Sequence, residues 1–270
     1  MRRTVAVALV LASLLVTTLA FAEDTPKPIT VVSLFKVLPG KGETVMELFK
    51  KYDKPVLDKL LADGTITGWG VGRPWVHTGE AWNMCFWIDA LGLGAQEKAD
   101  QAFEAAEKTR SREENKKVSE AFYASVAMDA HRDSVFRDVA AKMGKAPASP
   151  EGKSFLWVGN YTAKPGKDSD VTSFFTEIVG PVLDKLLADG TILGYGLLVP
   201  VVHVAGAPTH STWYLVNTLS DIDKVQAALR GAREKRSKEQ NAAVEARAQE
   251  IFESGTHSDD LLQVTMLAAR

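Results

Sequence analysis

The chain has 270 residues, 46% of them apolar and 24% charged, with 34 acidic against 32 basic side chains and a formal net charge of −2. That balance leaves no basic field for nucleic acid or an anionic membrane surface, so neither is expected as a partner. The lone cysteine, Cys85, excludes an internal disulfide, and its neighbours Met84, Phe86 and Trp87 mark it as a buried small hydrophobe rather than a nucleophile.

Arg2 and Arg3 precede an apolar run from Val5 to Leu19 and the small-x-small triplet Ala20, Phe21, Ala22. Residues 1–22 therefore read as a secretory signal peptide cut before Glu23. The run is short for a spanning helix, and no cysteine stands at the cleavage point to take a lipid. The expectation is a periplasmic or secreted protein with no membrane anchor after cleavage. It keeps 270 − 22 = 248 residues, enough for two domains.

PVLDKLLADGTI occupies Pro55 to Ile66 and returns from Pro181 to Ile192, an offset of 181 − 55 = 126. The same offset aligns Pro39-Gly40-Lys41 with Pro165-Gly166-Lys167, Val76-His77 with Val202-His203, Arg110-Ser111 with Arg236-Ser237, and His131 with His257. Repetition on this scale reads as a duplicated domain. The expected modules are 23–147 and 152–270, joined by a linker at Ala146-Pro147-Ala148-Ser149-Pro150.

Within each copy, Ile29 to Val37 and Phe155 to Ala163 are β-rich runs that stop at Pro-Gly. Val45, Leu48, Phe49, Tyr52, Val56 and Leu60 recur at helical spacing, as do Val171, Phe174, Phe175, Ile178, Val182 and Leu186. Pro55 and Pro181 interrupt these helices, which should kink or restart with proline at the first position. Gly64 and Gly190 are placed for left-handed caps. Ile66 to Arg73 and Ile192 to Val199 predict second strands, and Ala81 to Ala90 and Ser211 to Thr218 third strands. Helices follow from about Gln96 to Arg110 and Asp221 to Arg236, and Ser111-x-x-Glu114 and Ser237-x-x-Gln240 fit capping boxes that open another helix each. Asp133 to Val139 and Asp259 to Leu267 predict short final strands. The order βαββααβ is the ferredoxin-like plan with one additional helix.

Four of the five histidines match between copies: His77 with His203, and His131 with His257, while His210 is unmatched. His131 and His257 each stand two residues before a carboxylate, Asp133 and Asp259, on one face of extended backbone just ahead of the last strand. These four are the candidate acid–base groups; the alternative is loop residues satisfied by backbone. No HExxH or paired CxxC spacing is present, so metal is not expected unless the two His-Asp pairs converge across a pseudo-twofold axis. Gly68, Gly70 and Gly72 fall on one face of the second strand, bare backbone that would admit a helix or a ligand; Trp69, Val71 and Arg73 take the other face. His77, His203, Trp69, Tyr195, Trp82 and Arg73 are the candidate ligand-binding residues.

The element order, with two such modules in one chain, resembles the dimeric α+β barrel superfamily, in which ferredoxin-like modules pair sheet to sheet. PVLDKLLADGTI followed by two glycines at spacing two also resembles a recurring signature of exported bacterial proteins. The resemblance implies an α+β fold: two tandem ferredoxin-like modules closed as a pseudo-twofold barrel, as a monomer or weak homodimer. That superfamily includes cofactor-free monooxygenases, haem enzymes and isomerases, so fold alone does not choose a reaction. Without a strong catalytic motif, the primary expectation is a module of the cell envelope, structural or binding a small apolar or aromatic ligand. No cofactor, stoichiometric metal or haem is expected. The alternative is a small cofactor-free enzyme, monooxygenase- or isomerase-like, working on an apolar or aromatic metabolite in a barrel cavity.

Overall fold

The structure is a computed structural model and describes residues 27–76, 82–144 and 153–270. The leader segment at 1–22, His77 and the linker at 146–150 lie outside the described residues. The first half runs β1 (Pro28–Val37), α1 (Gly42–Leu48), a π-helical turn (Phe49–Asp53), α2 (Lys54–Asp63), β2 (Ile66–Pro74), β3 (Met84–Leu91), α3 (Leu93–Lys108), α4 (Arg112–Tyr123) and β4 (Val126–Asp138). A two-residue strand, β5 (Lys142–Met143), follows. The second half runs β6 (Ser154–Tyr161), α5 (Asp168–Phe174), a π turn (Phe175–Val179), α6 (Gly180–Ala188), β7 (Gly194–Pro200), β8 (His210–Val216), α7 (Leu219–Glu234), α8 (Lys238–Ile251) and β9 (Ser258–Ala269).

The prolines explain the π turns. Pro55 and Pro181 stand second, not first, in α2 and α6, where a missing N–H belongs to the unpaired first turn anyway. The chain widens just before each proline: Lys54 N–H reaches back five residues to Phe49 O, and Gly180 N–H to Phe175 O. Gly64 and Gly190 then adopt φ of +81° and +80°, as the capping argument requires. Ser237 and Gln240 complete a reciprocal capping box. At Ser111 only half of one forms, because the Glu114 carboxylate accepts from Tyr52 Oη instead.

The strands form one antiparallel sheet in the order β4-β1-β3-β2-β9-β6-β8-β7, closed by β4 pairing with β7 into an eight-stranded barrel, with β5 added beside β7. Each half therefore supplies its strands in the order fourth, first, third, second. The two seams between halves differ: β2 runs along β9 from Gly68 to Pro74, whereas β4 meets β7 only from Phe136 to Asp138.

Registers separate the two faces of the barrel wall. Trp69 and Val71 pack with Phe49, Leu57, Leu60 and Ala99 under the helices of the first half. Tyr195 and Leu197 pack with Phe175, Leu183 and Val225 under those of the second. Burying each such large side chain is worth about 1.5–3 kcal/mol. The opposite face points into the barrel, where Leu215, Val264 and Leu267 pack with Trp87, Leu156 and Trp213. Gly70 stands opposite Trp87 and Gly196 opposite Trp213, and a Cβ on either glycine would run into the indole. Gly68 likewise faces Asp89 and Gly72 faces Leu262, so the bare glycine face receives side chains of the neighbouring strands, while Gly70 and Gly72 each line a cavity.

The final strand of the first half is a correction in length: β4 has 13 residues, and His131 lies inside it rather than ahead of it. Polar residues on both faces, Asp129, His131, Arg132 and Asp133, hide the strand pattern there. No described helix is long and apolar enough to cross a membrane.

Candidate functional site

Two cavities open between the sheet and the helices of the first half, with no lining residue in common. The narrower, of about 220 Å³, is walled by Phe35, Phe49, Phe86, Phe103 and Phe122 with Val45, Leu48, Leu57 and Ile88, and its only ionisable lining group is Asp53. Asp53 ends the π turn, half-buried, and accepts no hydrogen bond among the described residues. Desolvation pushes its pKa up to about 6 against the counteracting charge of Arg110. Arg110 lies over the Tyr52 ring at 4.8 Å, with its Nε buried and without a hydrogen-bond partner among the described residues.

Ser33 on β1 also lines this cavity and donates to Asp133 Oδ1 at 2.5 Å. The same oxygen lies 3.1 Å from His131 Nε2. The His131 ring stacks on Phe35, centroids 4.4 Å apart and 14° from parallel. Ser33, Asp133 and His131 therefore form a polar chain from the apolar pocket to the more exposed part of the sheet.

The offset of 126 lets the second half serve as an internal control. His257 Nε2 lies 3.1 Å from Asp259 Oδ1, and its ring stacks on Tyr161 at 4.7 Å. Here, however, Gly159 stands where Ser33 does, Val179 where Asp53 does, and Trp157 donates to Asp259 at 3.0 Å. Trp157 and Tyr214 stack 6.0 Å apart and pack with Phe174 and Phe252 against the second core. Aromatic side chains thus crowd this face of the second half, and burial pushes the Tyr214 phenol up to about 12.

The two His-Asp pairs do not converge. They lie on β4 and at the start of β9, with three strands between them in either direction around the barrel. Among the described residues no group of three or more His, Cys, Asp or Glu could hold a metal ion. Trp69 and Tyr195 are core residues, 1% and 2% exposed, and line neither cavity; the Tyr195 hydroxyl donates to Asp184 at 2.5 Å. Trp82 is half-buried just before β3, and His203 is exposed beyond β7. Arg73 lines the larger cavity. His210 is buried on β8, its Nδ1 2.9 Å from Thr209 Oγ1, and its pKa is lowered by that burial. Burial pushes the Cys85 thiol up to about 12, which leaves it protonated and inert.

Asp53 is the group that sequence reasoning missed. It falls four residues after Phe49 and four before Leu57, a carboxylate on an otherwise apolar stripe, with valine 126 residues further on at Val179. That contrast was the available signal.

The closed antiparallel barrel with helices on its outer face, formed within a single chain, is a mixed α/β fold whose structural neighbours are of the dimeric α+β barrel type. It is similar to the structure of a candidate monooxygenase from Fusobacterium nucleatum, at 12% identity over 90% of this chain and 95% of that one, with a TM-score of 0.59. A candidate monooxygenase from Lactobacillus acidophilus matches at 10% identity over 90% and 96%, with a TM-score of 0.56. An anthrone oxidase-like protein matches at 12% identity over 90% and 93%, with a TM-score of 0.50. At these identities the likeness is one of fold. No protein-family model and no curated protein matches the sequence.

Proposed function

We propose that the protein is a small exported enzyme that takes a proton from an activated C–H group of an apolar or aromatic metabolite, as a cofactor-free monooxygenase or isomerase does. The observation that carries this reading is Asp53, a carboxylate without a hydrogen-bond partner among the described residues, in a phenylalanine-walled cavity, with a pKa of about 6. A base tuned toward neutrality is mostly ionised at pH 7 yet strong enough to accept a proton. Transfer of the C–H proton to Asp53 leaves a delocalised carbanion. Reprotonation at another carbon gives an isomer; reaction with dioxygen turns a methylene into a carbonyl and releases one water (CH2 + O2 → C=O + H2O). Ser33, which lines the same cavity and donates to Asp133, supplies a second polar group beside the substrate.

The cavity is smaller than the roughly 300–1,000 Å³ of ordinary ligand pockets, which favours a substrate of one to three rings. The likeness to an anthrone oxidase-like fold suggests which compounds to try first. The same proposal includes two ferredoxin-like modules arisen by duplication, supported by the shared offset and by the strand order of each half. It also includes export, supported by the leader-like first 22 residues, and a monomeric state, supported by closure of the barrel within one chain.

The test offers anthrone, 2-tetralone and 2-indanone to the purified protein, following oxygen uptake with an electrode and C–H exchange in D2O by NMR. Asp53→Asn is expected to lower whichever rate appears by about 10²-fold or more while ligand-induced shifts persist. Ligand binding without exchange or oxygen uptake would restore the binding-module reading, and equal rates in wild type and Asp53→Asn would remove Asp53 as the base.

A further inference from the structure

The larger cavity, of about 490 Å³, lies between α1 and the sheet and is lined by Met46, Val71, Met84, Thr265 and Met266 with Glu43, Lys50 and Arg73. Its volume falls within the usual range for a small-molecule site. Methionine side chains give it an apolar, adaptable wall. Arg73 is held in one orientation, because its Nε and Nη2 both donate to Gln263 Oε1, at 3.2 and 2.9 Å, and Gln263 is only 5% exposed. That leaves Nη1 and one hydrogen of Nη2 for another acceptor. Neither Arg73 nor Lys50 forms a salt bridge among the described residues. Glu43 is an exposed lining carboxylate, so the cavity's own charges sum to one net positive.

The second half again supplies the comparison. At the offset of 126, Lys50 becomes Thr176, Arg73 becomes Val199, Gly72 becomes Leu198 and Met84 becomes the buried His210. Neither cation has a charged counterpart at the matching position of the second half.

We propose that this cavity is a second binding site, separate from the Asp53 pocket, for an amphipathic monocarboxylate whose anionic head meets Arg73 and Lys50 and whose apolar body lies along Met46, Met84 and Met266. A carboxylate suits an Arg guanidinium whose orientation is already fixed, since little freedom is lost when the charged hydrogen bonds form. A neutral or cationic amphiphile of the same length gains nothing from these two side chains.

Dodecanoate, dodecanol and dodecyltrimethylammonium, each below its aggregation threshold, would be titrated into the full protein by calorimetry, with [1-13C]dodecanoate followed by NMR. The expected result is saturable dodecanoate binding at one site, at least tenfold tighter than either analogue. Arg73→Gln and Lys50→Gln should each weaken it by about tenfold. Lys50 is exposed, so its replacement tests the site without disturbing the core. Met84→Trp should block binding by filling the cavity, and Asp53→Asn should leave it unchanged, because Asp53 belongs to the other pocket. Equal affinity for dodecanol, no loss in Lys50→Gln, or sensitivity to Asp53→Asn would each overturn the proposal.

Discussion

Asp53 and Val179 stand at the same place in the two halves, each closing a π turn before a proline, but Asp53 puts a carboxylate into a cavity where Val179 packs against a core. Asp53→Val should therefore stabilise the protein at neutral pH, by about 1–3 kcal/mol, while abolishing turnover; urea unfolding and the exchange assay together check it. The acid side of the stability curve is a second residue-scale prediction. Desolvation raises Asp53 and Asp89 to about 6, and it raises Asp138, with help from the Asp89 charge, to about 7. Each binds its proton more tightly folded than unfolded, so its contribution falls as pH rises from about 4 through these values. His210 works against them: burial lowers its pKa, so its contribution grows as pH rises toward the unfolded value of 6.5. Asp89→Asn removes the Asp89 titration and with it the push that the Asp89 charge gives Asp138, while asparagine can still accept from Thr30, which donates at 2.7 Å. Wild type should lose more melting temperature than the variant between about pH 4.5 and pH 7; parallel curves would refute the assignment.

The glycine–tryptophan pairing across β2 and β3, and again across β7 and β8, is the device that fills the barrel. Gly70→Ala should destabilise by about 1–3 kcal/mol through overpacking against Trp87, and Trp87→Leu in the same chain should recover part of that loss, as a double-mutant cycle would show. An additive cycle would mean that the two residues do not meet. How much of this was legible varies with the range of the interaction. The β-rich runs, the helical stripes, the proline breaks and the glycine caps are local, and the sequence located them within a few residues. Gly70 and Trp87 come together only through strand pairing, so the alternating glycines could be read as a bare face without showing what covers it. The matched His131 and His257 were visible as pairs, but their separation on opposite sides of the barrel depends on strand order. β5 is too short, and too dependent on β7, to leave a local mark.

Taken whole, the barrel is joined by two unequal seams. Along one, β2 and β9 pair at length; along the other, β4 holds β7 through Phe136 to Asp138 alone, with Val139 N–H donating to Leu197 O and Val201 N–H to Val135 O beside it. Amides of the β4–β7 seam should exchange with deuterium before those of β2 and β9, and faster still above about pH 7, where Asp138 ionises at that edge. Earlier exchange at β2 and β9 would contradict this order. The single-chain closure has a further effect. A barrel built from two identical subunits repeats every substitution at two symmetry-related places, so a cavity or an ill-solvated carboxylate would weaken it twice. In one chain the halves answer to different demands: the first can be hollowed around Asp53 and Arg73, while Val179, Trp157 and Tyr214 act as ballast in the second. Chemistry then varies on one side of the molecule without any matching change in the side that keeps it folded.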